Sequence, residues 1–416
     1  MAHATLLVFI VLNYLKFIYG ECPPERVAVD HFEAKLHKDL FCAYDYSYRP
    51  VKDHRSTVNV SVRFAVKYIS FDASEETFNV HSWVALKWKD EFLTWDPSEY
   101  GNITEIQVES HEIWTPRMSL YNADAALYQS DQIFTTCLLH NTGNVTCIPH
   151  VPHSGICRST LKYWPYDKQN CTMYFGSWMH TGEQINFTFF NKSAVILDDY
   201  QPGPGWSLLR VIHERLPGNF ACCPTVTYPM LKYTFMMKRE SAGLAAIIVV
   251  PSVVIIMMTM VSLLLDVKDN NRLGLQCFSL FGHFIFLTEI GYSIPKHGAD
   301  TPILILFIRD SMVVTLICIL LTLLMMSLRK RVEQVPVWLK SLSNLVISGP
   351  GRYVIFTEFD PSNAEDQKNL SENEPNESQS RSDWITLAEI LNNIVFIIFV
   401  IVYVVLLSVY IPTDTK

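Results

Sequence analysis

Residues 157–171 read CRSTLKYWPYDKQNC, two cysteines enclosing thirteen residues around Trp164-Pro165-Tyr166-Asp167, with FGSW following at 175–178. A cysteine spacing settles nothing alone; the flanking sequence decides its reading. On the N-terminal side hydrophobic residues alternate with polar ones in short segments, as in Val58, Val60, Val62 and Phe64, and the pattern returns at Lys232–Met236. Period-two alternation broken by turn residues marks half-buried strands, and residues 21–240 carry enough of it to predict a β-sandwich. Glu33–Leu40 reads as a helix ahead of the turn-rich Tyr44–Pro50.

Beyond residue 240 the composition changes. Apolar runs cover 242–265, 273–290, 302–328 and 385–411, in a chain of 416 residues that is 49% hydrophobic. A run of eighteen or more residues spans a hydrocarbon core of about 30 Å at 1.5 Å per residue, so a four-helix transmembrane bundle is expected, with three helices in 241–328 and the fourth at 385–411. Residues 5–12 (TLLVFIVL) ahead of Gly20 read as a signal peptide over 1–20, although its start lacks Lys or Arg. Arg329-Lys330-Arg331, with Lys268 and Arg272, mark cytoplasmic flanks. The expected topology is therefore a multi-pass plasma-membrane protein with 21–240 and the tail 412–416 extracellular and 329–384 cytoplasmic.

Eight of the ten cysteines fall in 21–240, an even number in an oxidising compartment. Cys137 and Cys147 flank the turn-like HNTGN and can face each other across a hairpin, while Cys22 and Cys42 can tie the first helix to its approach. Sequence alone does not settle these pairings. Sequons at Asn59, Asn102, Asn144, Asn170, Asn186 and Asn191 fit a glycosylated exterior. Residues 359–383 carry seven acids against two bases and almost nothing to bury, which predicts a disordered linker. A net charge of −8 is no nucleic-acid signature, and HExxH, GxSxG and phosphate-binding loops are missing, so neither an enzyme nor a metal or cofactor carrier is expected.

At 221–228, ACCPTVTY sets Cys222 beside Cys223. Neighbouring Cα atoms lie about 3.8 Å apart, short of the roughly 4.4–6.8 Å usual across a disulfide. Either the pair forms a strained ring or each cysteine has a distant partner.

Together, the 157–171 loop with its WPYD centre, the following FGSW, the adjacent cysteines and four spans closely resemble the Cys-loop receptors, the pentameric ligand-gated channels. Within them the likeness is to a divergent nicotinic α-type subunit of invertebrate character. The resemblance covers the chain from about residue 30 onward and implies an extracellular ligand-binding β-sandwich followed by the membrane bundle. It implies a Cys157–Cys171 bond, and a Cys222–Cys223 bond stiffening a lid over the agonist. The family's aromatic box falls on Tyr121 in IWTPRMSLYN, Trp178 in FGSWMH, and Phe220 and Tyr228 beside the cysteines; Trp83 in WVALKWKD comes from the neighbouring subunit's complementary face. Such a box suits an acetylcholine-like quaternary ammonium, which offers no hydrogen-bond donor and is held by ring faces at about 0.5–2 kcal/mol each. Trp88 reads as core. Two residues depart from the pattern: Phe220 replaces a tyrosine, and Arg117 stands where WxPD has an aspartate.

For the pore, the resemblance makes Arg272 the inner flank of the second span and Gly274, Phe278, Phe281, Ile285, Glu289 and Tyr292 its lumen face. Stacked phenylalanine rings in a pentamer, homomeric or heteromeric with related subunits, narrow and dewet the path. Asp269 and Glu289 favour cations, although Asn271 replaces the usual acidic ring. The alternative is a non-conducting receptor-like subunit acting in assembly, traffic or signalling. Glu289, His283, Arg309 and Asp310 are functional candidates as ionisable residues within spans; Arg239 is a coupling residue or an interfacial anchor.

Overall fold

The computed structural model describes residues 31–124, 134–190, 194–294, 300–348 and 375–410. The signal peptide, Cys22, Asn191, the stretch 349–374 and the tail 412–416 lie outside them. The chain divides into two units, a β-sandwich (Met1–Ser159 with Lys168–Arg239) and a helical unit (Thr160–Asp167 with Glu240–Lys416).

In the sandwich, helix α1 (Phe32–Phe41) precedes the long hairpin β1 (Val58–Asp72) and β2 (Thr77–Lys89), paired from Ser61 opposite Lys87 to Asp72 opposite Thr77, with a bulge between Val66 and Tyr68. The even positions Val58–Val66 are buried, and in β2 Phe78, Val80, Ser82, Val84, Leu86 and Trp88 point inward, because successive side chains on a strand leave opposite faces. β3 (Glu105–Glu109), β5 (Thr136–His140), β6 (Asn144–Cys147), β7 (His150–Ile156), β9 (Ile185–Phe189) and β10 (Val195–Ile196) complete this sheet. The second sheet has the order β11 (Trp206–Leu216), β12 (Met230–Arg239), β8 (Lys168–Gly176) and β4 (Ser119–Leu120). Between the sheets Phe64 meets Phe175 and Tyr233, with centroids 4.9 and 4.7 Å away, and Phe78 meets Phe235 at 5.2 Å. Trp88 is buried edge-on to Trp114.

Disulfides join Cys137 to Cys147 and Cys157 to Cys171, and Cys42 is also a disulfide cysteine. Cys222 and Cys223 stand as two thiols, with sulfurs 2.8 Å apart and Cys223 donating to Cys222. Among the sequons, Asn59, Asn102 and Asn170 are exposed, while Asn144 and Asn186 are half-buried; Asn186 donates to the side chain of Asn59 at 2.9 Å across the parallel β1–β9 pairing.

The helical unit contains α2 (Ala242–Ser262, with Pro251 inside), α3 (Asn270–Ser293), α4 (Ile303–Arg329), α5 (Val337–Ser348) and α6 (Pro375–Tyr410). α2, α3, α4 and α6 are long and apolar enough to cross a membrane. Helix α6 corrects the linker reading, since 375–383 are helical. The apolar fourth span draws its N-terminal turns into the same helix: Trp384 Nε1 and Ser380 Oγ both donate to the Glu333 carbonyl, and Lys340 pairs with Asp383 at 2.6 Å. In the Thr160–Asp167 segment, the Lys162 carbonyl accepts from Ile303 N at 3.0 Å, at the start of α4.

Candidate functional site

The hairpin linking β11 and β12 carries two of the proposed rings. Gly218 has φ +68°, and a Cβ there would lie 1.6 Å from the Tyr228 carbonyl oxygen, so only glycine fits this turn. Its carbonyl accepts from Tyr228 N at 3.0 Å, and the resulting ladder sets Phe220 and Tyr228 6.0 Å apart, edge to face. Tyr121, just past β4, stands 6.5 Å from Phe220 and 5.7 Å from Trp178, both T-shaped. Four of the five expected aromatics thus gather beside one sheet, with Tyr121 at the hub and Trp178 70% exposed. Trp83 lies apart, on the outer face of the other sheet against His150.

Tyr121 also acts through its hydroxyl, which donates to the Ser177 carbonyl at 2.7 Å and so fixes the backbone carrying Trp178. Burial, aided by nearby Tyr228, raises its phenol to about 12, so it stays a neutral donor. Ser177 Oγ in turn accepts from His180 N at 3.2 Å. Burial, then Arg49 and Arg117, hold His180 below the ordinary histidine range. Arg117 therefore bears electrostatically on the Trp178 loop, where the acid expected by analogy would have favoured a positive charge. The sequence reading missed His150, His81 and His180; the available signal was imidazole two residues from Trp83 on β2 and two residues from Trp178 in the loop after β8.

On α3, Gly274, Phe278, Phe281, Ile285, Glu289 and Tyr292 are all exposed on the single chain, Phe278 at 65% and Phe281 at 60%. Their spacing of three or four residues places them on one helical face. Phe284 is a further exposed ring. On the opposite face Arg272 and His283 are joined by Gln276 and Ser279, which the sequence reading did not single out; the four, again three or four apart, are buried. Arg272 donates to the Leu265 carbonyl and Thr322, Gln276 to Cys318, and Ser279 shares a 2.7 Å hydrogen bond with Thr259. His283 bonds Ser311 at 2.8 Å, and Ser311 bonds Tyr403 at 3.0 Å. This polar seam ties α3 to α2 and α4 and, through Ser311, to α6. Asp269 caps α3 through Asn271 N, and Asp310 pairs with Arg309 and accepts from Tyr410 on α6 at 2.6 Å. In the sandwich Arg239 lies over the Trp206 ring at 4.3 Å.

Rings packed edge to face, with Trp178 and Phe220 exposed, form one aromatic surface. With four helices long and apolar enough to cross a membrane, the chain is a multi-pass membrane protein. Half the chain identifies the kind: residues 33–241 match the neurotransmitter-gated ion-channel ligand-binding domain, and the chain belongs to that family, one of ligand-gated channels and not of enzymes. It is 28% identical over 306 residues to acetylcholine receptor subunit alpha-L1 of Schistocerca gregaria, covering 71% of this chain and 55% of that one. It is 27% identical over 317 residues to acetylcholine receptor subunit alpha-like 2 of Drosophila melanogaster, covering 74% and 55%. Against human neuronal acetylcholine receptor subunit alpha-10 the identity is 27% over 312 residues, covering 74% and 68%. The chain spans little more than half the length of the insect relatives.

Proposed function

We propose that this chain is a subunit of a pentameric, cation-selective channel opened by a small acetylcholine-like quaternary ammonium agonist. The agonist sits against Tyr121, Trp178, Phe220 and Tyr228 of one subunit, and Trp83 of the next completes the box. The observation that carries this reading is the convergence of four rings around Tyr121 from three separate segments of the sandwich. Each exposed ring face attracts a cation by about 0.5–2 kcal/mol, and the relatives' names support the agonist class. We place the subunit in the plasma membrane with the sandwich outside, and Asp269 and Glu289 select for cations. Full-length chains expressed alone and with related subunits, challenged with acetylcholine under voltage clamp, test this. Current abolished by Trp178→Ala and retained in Trp88→Phe is the expected result; silence in every combination despite surface expression rejects it.

A second reading is favoured by one observation, the two exposed phenylalanines, Phe278 and Phe281, on the proposed lumen face. On it the subunit binds ligand without conducting and acts in assembly, traffic or signalling. Labelled acetylcholine bound at the cell surface without current, and current appearing only in Phe278→Ser with Phe281→Leu, distinguish the two.

A further inference from the structure

On the outer face of the β1–β2–β7 sheet, Trp83 stands beside two imidazoles. His150 is its partner across the β2–β7 ladder, the two rings 5.1 Å apart and inclined at 59°. His81, two residues earlier on β2 and so on the same face, stacks on Tyr68 at 4.0 Å with planes 11° apart. Trp83 is 42% exposed, its neighbours Ser82 and Val84 are buried, and His150 is exposed. The indole therefore presents a cation-attracting surface whose closest aromatic companion is itself able to become a cation.

We propose that His81 and His150 form a proton-operated gate on the Trp83 face: when neutral they leave the indole open to a cationic ligand, and when protonated they set positive charge against that ring and repel it. The ligand class rests on the reading that Trp83 receives the agonist. Among the described residues acids near this face are few: Asp124 meets β7 through its amide, which donates to the Ser154 carbonyl at 3.0 Å, while Arg63 on β1, opposite Ala85, adds a further cation. From β1 come Tyr68 and Lys67, the lysine already paired with Asp199 at 2.8 Å. From β7 come His150 and, on the core side, His153 against Phe64 and Phe175; farther along β2 lies Lys87, near the Phe190 ring. Burial, and then the charge of His150, hold His81 below the ordinary histidine range, so it is neutral at physiological pH and charges only on acidification.

The test needs no agonist. Trp83→Cys in the full-length chain is treated with a trimethylammonium-bearing methanethiosulfonate and a neutral methyl one, and the residue-83 peptide is quantified by mass spectrometry, which excludes the other thiols. The ratio of the two rates cancels the thiol's own ionisation and reads the local potential. Between about pH 8 and about pH 5 we expect the cationic reagent to lose about fivefold relative to the neutral one, the order expected for unit charges ~6 Å away in water. Adding His81→Asn and His150→Asn flattens the ratio. A ratio that is flat in the parent, a slope that survives the double replacement, or failure of both reagents to reach residue 83 overturns the proposal. A chain that ignores acetylcholine yet keeps the slope rejects the agonist reading and leaves the gate standing.

Discussion

At the level of single residues, the candidate site depends on a glycine and a hydroxyl as well as on ring faces. Gly218 permits the turn that brings Phe220 and Tyr228 together, and an alanine there meets the Tyr228 carbonyl at 1.6 Å. Gly218→Ala is expected to abolish quaternary ammonium binding while the Cys157–Cys171 disulfide and surface expression persist, as labelled-ligand binding alongside a surface immunoblot would record. The Tyr121 hydroxyl holds the Trp178 backbone through Ser177. A net hydrogen bond of about 0.5–1.5 kcal/mol predicts a roughly three- to tenfold loss of agonist potency in Tyr121→Phe; unchanged potency would make the ring alone responsible. Arg117 acts with the opposite sign. Arg117→Gln removes a positive charge that opposes protonation of His180, so the His180 pKa should rise and cation affinity should increase, read together from binding isotherms across pH.

Among the elements, the long hairpin strands were legible because the sequence is explicit about them: Val58, Val60, Val62 and Phe64 alternate, and the inward halves of β1 and β2 are buried. The helix over 375–383 was not legible, since its acidic, Ser- and Asn-rich composition reads as unburied chain and the Glu333 carbonyl that receives Trp384 is 51 residues away. The aromatic box could be located through motif likeness, but its ring-to-ring geometry and the isolation of Trp83 on the other sheet required the fold. Likewise the exposed face of α3 was reached through the resemblance and helical spacing, while the seam behind it lacked a visible partner until Thr259, Ser311, Cys318 and Thr322 came into register. Strand β7 carries its own pH dependence. His153 is fully buried and depressed to about 3, so its stabilising contribution is complete above 6.5 and declines as pH falls toward 3. By about pH 5 the loss is about 2 kcal/mol. Amides of β2 and β7 should therefore exchange faster on acidification in the wild type and much less so in His153→Phe, which retains packing against Phe64 and Phe175; equal acceleration in both would exclude His153 as the cause.

For the molecule as a whole, the channel proposed above would place the exposed α3 face around a shared axis. Phe278→Ser with Phe281→Leu should increase acetylcholine-evoked current at least tenfold where the native rings obstruct the path, whereas unchanged current at equal surface density would place the restriction elsewhere. The seam behind α3 argues that the helix cannot turn by itself, because rotation would strand Arg272, Gln276, Ser279 and His283 without partners in an apolar setting. The Thr160–Asp167 segment has a related consequence. Its ends continue into strands stapled to one another by Cys157 and Cys171, yet its Lys162 carbonyl grips the first amide of α4. That latch is main chain to main chain, so no exchange of ordinary side chains can release it and drift in sequence leaves it intact. Only an imino acid can unhook it: Ile303→Pro deletes the N–H at the opening position of α4, where proline is tolerated, and frees the Lys162 carbonyl while the helix keeps its start.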